Sequence, residues 1–184
     1  MTEKKFWKEC FSWLFVLATG IAFAFIIKQY VFSPIIVNGA SMFPTYEDKD
    51  VIIVSKISEI ERFDHVVFKA PYEDEYYIKR VIGLPGDTIE MKDDVLIING
   101  KEYEEPYVNR TSELNLRVTE DFTLEELTGE KTVPEGSLFV LGDNRLKSFD
   151  SRHFGLIPID DVYGESKIRI FPLQNIKVFY HPYE

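Results

Sequence analysis

Ser41 stands in Gly39-Ala40-Ser41-Met42-Phe43-Pro44-Thr45, between small residues and ahead of a rigid proline turn. A serine hydroxyl is a poor nucleophile until a base removes its proton. The rest of the chain must therefore supply that base. One source is Lys79, in the apolar run Tyr77-Ile78-Lys79-Arg80-Val81-Ile82-Gly83-Leu84-Pro85-Gly86-Asp87. In an extended strand the side chains alternate, which sets Tyr77, Lys79 and Val81 on one face. A free lysine, with a pKa of about 10.4, is protonated at neutral pH and useless as a base. Burial disfavours the ammonium and lowers that value by up to about 3–5 units. A neutral amine so produced takes a proton from serine and returns it to a leaving amine.

Histidine is the other source. His65 lies in a strand-like run and His181 three residues from the end, leaving His153. With Ser41 and either Asp143 or Asp150 it has the residue types of a Ser-His-Asp triad, which is recognised by geometry and not by spacing. The residues alone leave lysine and histidine both open. Three histidines without a cysteine pattern predict no zinc site, and no metal or other cofactor is expected. A third island, Gly142-Asp143-Asn144-Arg145-Leu146-Lys147-Ser148-Phe149-Asp150-Ser151-Arg152, is dense in side chains able to hold such a site in place.

Several elements must position these islands. Cys10 to Ile27 is an 18-residue run without charge, reaching roughly 27 Å as a helix, close to the ~30 Å hydrocarbon core of a bilayer. Tyr30, Val31 and Phe32 extend it to an aromatic interface, and Pro34 ends it. A cleavable leader has a shorter apolar core of about 7–15 residues and a small-residue end, and Ile26-Ile27-Lys28 is no such end, so a permanent anchor is expected. Lys4, Lys5 and Lys8 precede the span, which by the positive-inside rule puts residues 1–9 in the cytoplasm. The predicted organisation is a transmembrane helix over 10–32 and an extracytoplasmic catalytic domain over 33–184.

The domain reads as all-β, with many short and mostly antiparallel strands. Runs at 35–37, 50–55, 65–69 and 76–84 are strand-like, as are 94–98 and 101–103 around an Asn99-Gly100 turn, and then 137–141, 168–171 and 176–180. Residues 104–132 are polar and predict an inserted flap outside the core. Within it, Thr123-Leu124-Glu125-Glu126 has the form of a capping box and Gly129 that of a helix stop.

The formal net charge is −10. Four lysines against two glutamates leave residues 1–34 at +2, so residues 35–184 carry −12. An acidic domain of this kind does not attract nucleic acid. Cys10 is the single cysteine, so no intrachain disulfide forms and packing must hold the fold. Asn109-Arg110-Thr111 matches a glycosylation sequon and is given no role.

The three islands, in this order after an apolar span, resemble the bacterial type I signal peptidases, membrane-anchored proteases that cut leader peptides from exported proteins. The resemblance covers roughly residues 10–180. It implies the signal-peptidase-like β fold, with Ser41 as nucleophile and Lys79 as general base. It further implies that Ser148 hydrogen-bonds the lysine amine, that Asp150 and Arg152 form a supporting ion pair, and that Asp143 and Arg145 order the loop. The Ser41 N–H would form part of the oxyanion hole. Gly39 stands where some members carry a hydroxyl that donates to the oxyanion. Lys49 stands where a turn glycine is common, and Phe63 replaces another frequent glycine. The implied substrates are preproteins bearing signal peptides, bound as an added strand and cut after a small-x-small sequence. Ile35, Val37, Met42, Tyr77 and Ile78 are the positions expected to line the pockets. The implied setting is a single-pass protein of the bacterial cell membrane, with the lipid bilayer as its other partner and a monomer expected.

Two other readings fit parts of the pattern. Self-cleaving SOS-type repressors use a similar Ser–Lys pair but carry a DNA-binding domain where this chain has an apolar span. A membrane-anchored assembly factor for surface proteins or pili would not need the serine or the lysine, and both are present.

Overall fold

The structure is a computed structural model and describes residues 3–108, 110 and 117–179. The sequon residues Asn109 and Thr111, His181 and the end of the last expected strand lie outside the described residues.

The chain opens with helix α1, Glu3–Tyr30. Its stretch Trp7–Tyr30 has a mean hydropathy of 2.3, is not buried against the rest of the protein, and is long and apolar enough to cross a membrane. The helix starts before the expected span at residue 10 and stops short of Phe32, where the first strand begins. Pro34 accounts for the stop, because it disfavours helical geometry in the residue before it.

Strands β1 (Phe32–Ile36), β2 (Val51–Ser55), β3 (His65–Lys69) and β4 (Tyr76–Gly83) follow. Next come β5 (Ile89–Lys92), β6 (Val95–Ile98), β7 (Lys101–Tyr103) and β8 (Phe122–Thr123), then the short helix α2 (Leu124–Thr128). Strand β9 (Ser137–Leu141), helix α3 (Ser151–Phe154), β10 (Ile157–Pro158), β11 (Val162–Phe171) and β12 (Lys177–Val178) complete the chain. The larger sheet runs β1-β2-β11-β3-β4-β9-β10, with β12 on β11, and the smaller runs β7-β6-β5-β8. Every pairing is antiparallel. The fold is thus the expected all-β one behind a single apolar helix.

Strand β4 sits near the middle of the larger sheet, and its last six residues are all buried. One cluster, with Ile82, Met91, Leu96, Phe122 and Phe139, joins the two sheets. A second, with Val37, Met42, Tyr46, Ile52, Val54, Val67 and Ile78, lies beneath the Ser41 turn. Because β4 is covered on both sides, its alternation reads as a continuous apolar run, with Lys79 and Arg80 as the exceptions.

The described residues of 104–132 are packed more closely than the solvated flap that their composition predicts. Val108, Val118, Phe122 and Leu124 are buried, as are Glu105 and Thr119. The capping box forms: Thr123 Oγ1 accepts from the Glu126 N–H while the Glu126 carboxylate accepts from the Thr123 N–H. Gly129 adopts the left-handed conformation that ends α2. The expected strand at 168–171 is the end of a ten-residue strand; within the strand expected at 176–180, β12 covers Lys177–Val178 and the Phe179 N–H donates to the Lys167 carbonyl at 2.7 Å.

Lys49 and Phe63, the two residues standing in place of turn glycines, both have positive φ, 70° and 71°. A Cβ in this region costs about 1–2 kcal/mol. Lys49 is exposed, so little offsets the strain, whereas Phe63 is 2% exposed and packs in the core between the sheets. Lys49→Gly is expected to raise stability by about 1 kcal/mol in detergent-phase unfolding. Phe63→Gly is expected to lower it by about 3–5 kcal/mol, because the cavity outweighs the relieved strain.

Candidate active site

Strand β4 carries Lys79, and the turn after β1 carries Ser41. They meet because β1, β2, β11, β3 and β4 curl around the cluster beneath the turn. Lys79 Nζ donates to Ser41 Oγ at 2.8 Å and to the Ile78 carbonyl at 3.1 Å. Its ammonium lies 5.2 Å from the ring centroid of Tyr77, on the same face as the alternation requires. Lys79 is 3% exposed. Burial drops its pKa from 10.5 to about 8, against the opposing pull of the Asp150 and Asp143 carboxylates. About a tenth of the lysine is then neutral at pH 7.

The third island folds into a cradle around this pair. The Asn144 N–H donates to the Ser41 carbonyl at 3.0 Å, and Asn144 Nδ2 donates to the Ala40 carbonyl at 2.9 Å. Gly142 lies so close to the Ser41 turn that a Cβ there would come within 2.6 Å of the Ser41 carbonyl oxygen and 2.1 Å of Ser148 Oγ. Asp150 caps α3 and accepts from the Gly142 N–H at 3.0 Å. Arg152 pairs with Asp150 at 2.8 Å and donates to the Arg145 carbonyl at 2.8 Å.

Burial alone would raise the Asp143 carboxyl. The charge and hydrogen bonds of Arg80, with Thr45, hold it below the ordinary range instead. Asp150 is likewise held low by Arg152 and the Gly142 N–H against its own burial.

The sequence-derived positions fall into three groups. Ser41 and Lys79 are in contact, and Asp150 and Arg152 form an ion pair. Asp143 and Arg145 both sit in the cradle but pair elsewhere. Asp143 binds Arg80, with Nε to Oδ1 at 2.8 Å and Nη2 to Oδ2 at 2.6 Å, and Arg145 binds Glu105. Three expectations need correction. Ser148 makes no hydrogen bond to the lysine, whose amine meets Ser41 and the Ile78 carbonyl; its hydroxyl is instead among the groups that hold the Asp150 carboxyl low. Gly39 does not offer its N–H to the site, because Asp48 Oδ1 accepts it at 2.7 Å. Met42 does not line the cavity that Ile35, Val37, Tyr77 and Ile78 share. It is 1% exposed and packs in the cluster below the turn.

Ile35, Val37, Tyr77 and Ile78 do line a common cavity of about 80 Å³, closed below by Ile52 and Val67. His153 stacks on Phe149, with ring centroids 5.1 Å apart; its backbone N–H donates to the Asp150 carbonyl at 2.7 Å, but its imidazole makes no hydrogen bond to Ser41, Asp143 or Asp150 among the described residues. His65 is buried beside Tyr46, 3.2 Å from its hydroxyl. The triad is therefore not assembled around either of them.

Sequence reading missed four supporting residues: Arg80, Thr45, Asn144 and Glu105. Arg80, Thr45 and Asn144 lie inside the quoted islands, where an arginine beside the lysine in an apolar run was a legible signal. Glu105 lies in a charged stretch and gave none.

The family model described as "Signal peptidase, peptidase S26" matches residues 10–171. A signal peptidase I of Bacillus caldolyticus is 48% identical over 154 residues, covering 80% of this chain and 84% of that protein. Signal peptidase I T of Bacillus subtilis (strain 168) is 38% identical over 185 residues, covering 96% and 93%. Among solved structures, a signal peptidase I from Enterococcus faecalis V583 superposes with a TM-score of 0.56 at 46% identity. It covers 59% of this chain and 97% of that one.

Gly142→Ala should cost at least about 100-fold in kcat/KM, since displacing the Ser41 turn by even 1 Å costs that much. Lys79→Met should stabilise the fold. A buried ammonium whose pKa is depressed costs stability below about pH 8, and the cost fades as pH rises toward 10.5, where the unfolded lysine also loses its proton. The gain is on the order of 3 kcal/mol at pH 7 and vanishes above pH 10.5, read from unfolding curves at both pH values.

Proposed function

From the premise that the chain belongs to the signal peptidase family, peptidase S26, we propose that it removes signal peptides from exported preproteins by a Ser41–Lys79 dyad. The observation that carries this reading is the 2.8 Å contact between Ser41 Oγ and a lysine amine 3% exposed, with its pKa brought down to about 8. In its neutral form Lys79 accepts the Ser41 proton as Oγ attacks the carbonyl before the scissile bond. The ammonium so formed gives that proton to the leaving amine, and the amine then activates the water that hydrolyses the acyl-enzyme. The Ser41 N–H makes no hydrogen bond among the described residues, which leaves it available to the developing oxyanion.

The peptide would lie between two strand edges. Strand β1 is an edge strand. Strand β9 pairs with β4 only from Arg80 onward, so Tyr76–Lys79 is laddered on its β3 side alone. An extended substrate placed between these edges takes main-chain hydrogen bonds for affinity. The cavity of about 80 Å³ beneath it suits a small side chain and is too small for an aromatic one, which is consistent with cleavage after small-x-small sequences. Helix α1 would hold the site against the bilayer, with Lys4, Lys5 and Lys8 on the cytoplasmic side and the β domain outside.

The test is cleavage of a leader-bearing preprotein by the full chain in detergent micelles. Wild type should cut after a small-x-small site, with kcat/KM rising through an apparent pKa near 8, and should fail on a substrate with leucine before the cut. Ser41→Ala and Lys79→Ala should each be folded yet lose at least about 1,000-fold. Normal cutting by Lys79→Ala, or a profile flat from pH 6 to 10, would sink the dyad.

A further inference from the structure

Three guanidinium groups stand around the dyad, those of Arg80 and Arg145 buried and that of Arg152 half-buried, and each meets a carboxylate. Arg80 takes Asp143, and Arg152 takes Asp150. The sequence places Asp143 beside Arg145, but Asp143 is already engaged by Arg80, which would leave a buried cation without a counter-charge. The acid that fills this vacancy comes from far away. Glu105, just past β7, reaches Arg145 through both carboxylate oxygens, Oε1 on Nη2 and Oε2 on Nη1. The side chains of this pair are 1% and 0% exposed.

We propose that Glu105 is a positioning residue of the hydrolytic site, holding the 142–152 cradle against Ser41 and Lys79 through Arg145. The inference rests on the dyad reading above. The linkage is continuous: Glu105 fixes the Arg145 guanidinium, and Arg145 Nε then donates to the Gly142 carbonyl at 3.0 Å. Gly142 abuts the Ser41 carbonyl and Ser148. The Arg145 carbonyl in turn accepts from Arg152 at 2.8 Å, and Arg152 holds Asp150.

The same short segment touches the other side of the site. Tyr107 donates its hydroxyl to Glu105 Oε1 at 3.1 Å, while its ring lies 3.7 Å from the Arg80 guanidinium carbon. Residues 105–107 thus bind the arginine next to the base and the arginine of the cradle together. Removing the acid leaves Arg145 a buried charge without a partner, which is strongly unfavourable. The cradle responds by moving Arg145 toward water, and it carries Gly142 and Asp150 with it.

The distinguishing experiment uses the full chain in micelles, with rates normalised to the serine sites titrated by a covalent acylating probe. Glu105→Gln keeps the shape and removes the charge. It should lower kcat about 10–100-fold with KM changed less than about 2-fold. Water entering behind the loosened cradle should also move the acidic limb of the kcat profile upward from about 8, toward the 10.5 of a solvated lysine. Should that variant fail to fold, Tyr107→Phe removes one hydrogen bond to the carboxylate and keeps the ring on Arg80. It should show the same pattern at about 2–5-fold. Glu105→Asp should recover part of the loss. A purely structural role would reduce the number of titrated sites and leave kcat per site and the limb in place, and that result would overturn the proposal. An unmoved or lowered limb in Glu105→Gln would overturn it equally. If the wild type itself shows no limb near pH 8, the dyad reading fails, and this is visible before any Glu105 variant is made.

Discussion

The structure turns on the burial of one amine. An ammonium taken out of water gives up its proton more readily, and only the neutral form of Lys79 can accept one from Ser41. Yet the same pocket contains Asp143 and Asp150, and a bare carboxylate beside Lys79 would stabilise the ammonium and undo what burial achieves. The arginines resolve this conflict. Arg80 occupies both oxygens of Asp143, and Arg152 both oxygens of Asp150. Each carboxylate keeps a residual pull on the lysine, but its charge is spent mainly on a guanidinium that cannot lose its own proton. The ion pairs act here as insulation. Their net worth to stability is small or negative, since two charges must be desolvated for every pair formed.

Much of this was legible in the chain. The apolar span, the all-β domain, the hairpin at Asn99-Gly100 and the capping box at Thr123 depend on local rules of period, turn and cap, and they appear where those rules place them. Ser41 and Lys79 stood out because each sits in a run of unusual company. The partners of the supporting charges were not legible, because nearness in sequence misleads. Asp143 and Arg145 are two residues apart, but the turn at 142–147 points them to opposite neighbours. One finds Arg80 on the adjoining strand, and the other finds Glu105 on the far side of the smaller sheet.

Composition misled in the same way at two other places. Residues 104–132 look solvated because Glu, Arg and Thr outnumber the apolar residues, but four apolar side chains and one acid among the described ones are buried. Strand β11 was read as four residues long because Glu165 and Ser166 interrupt its apolar pattern. Both are buried, and the strand simply continues through them. By contrast β5 was readable and overlooked: Ile89 and Met91 alternate inward against Glu90 and Lys92, the period of a half-buried strand.

Chemistry and recognition are divided between the centre of the sheet and its edge. Lys79 stands on a strand paired with β3 at its own position and with β9 from the next residue onward, and buried through its last six residues, so its amine is aimed by closely packed neighbours. Ile35 and Val37 stand on or beside an edge strand whose outer hydrogen-bonding groups have no neighbouring strand. An edge of this kind is ordinarily a hazard that invites pairing with other chains. Here that hazard is what an extended peptide requires. The turn from Asn38 to Thr45 is the short link between the two regimes: its first residue lines the groove, Ser41 meets the amine, and Thr45 ends on Asp143. On the proposed reading, a substrate added at the edge would be delivered to a base held at the centre, with little movement required of the turn between them.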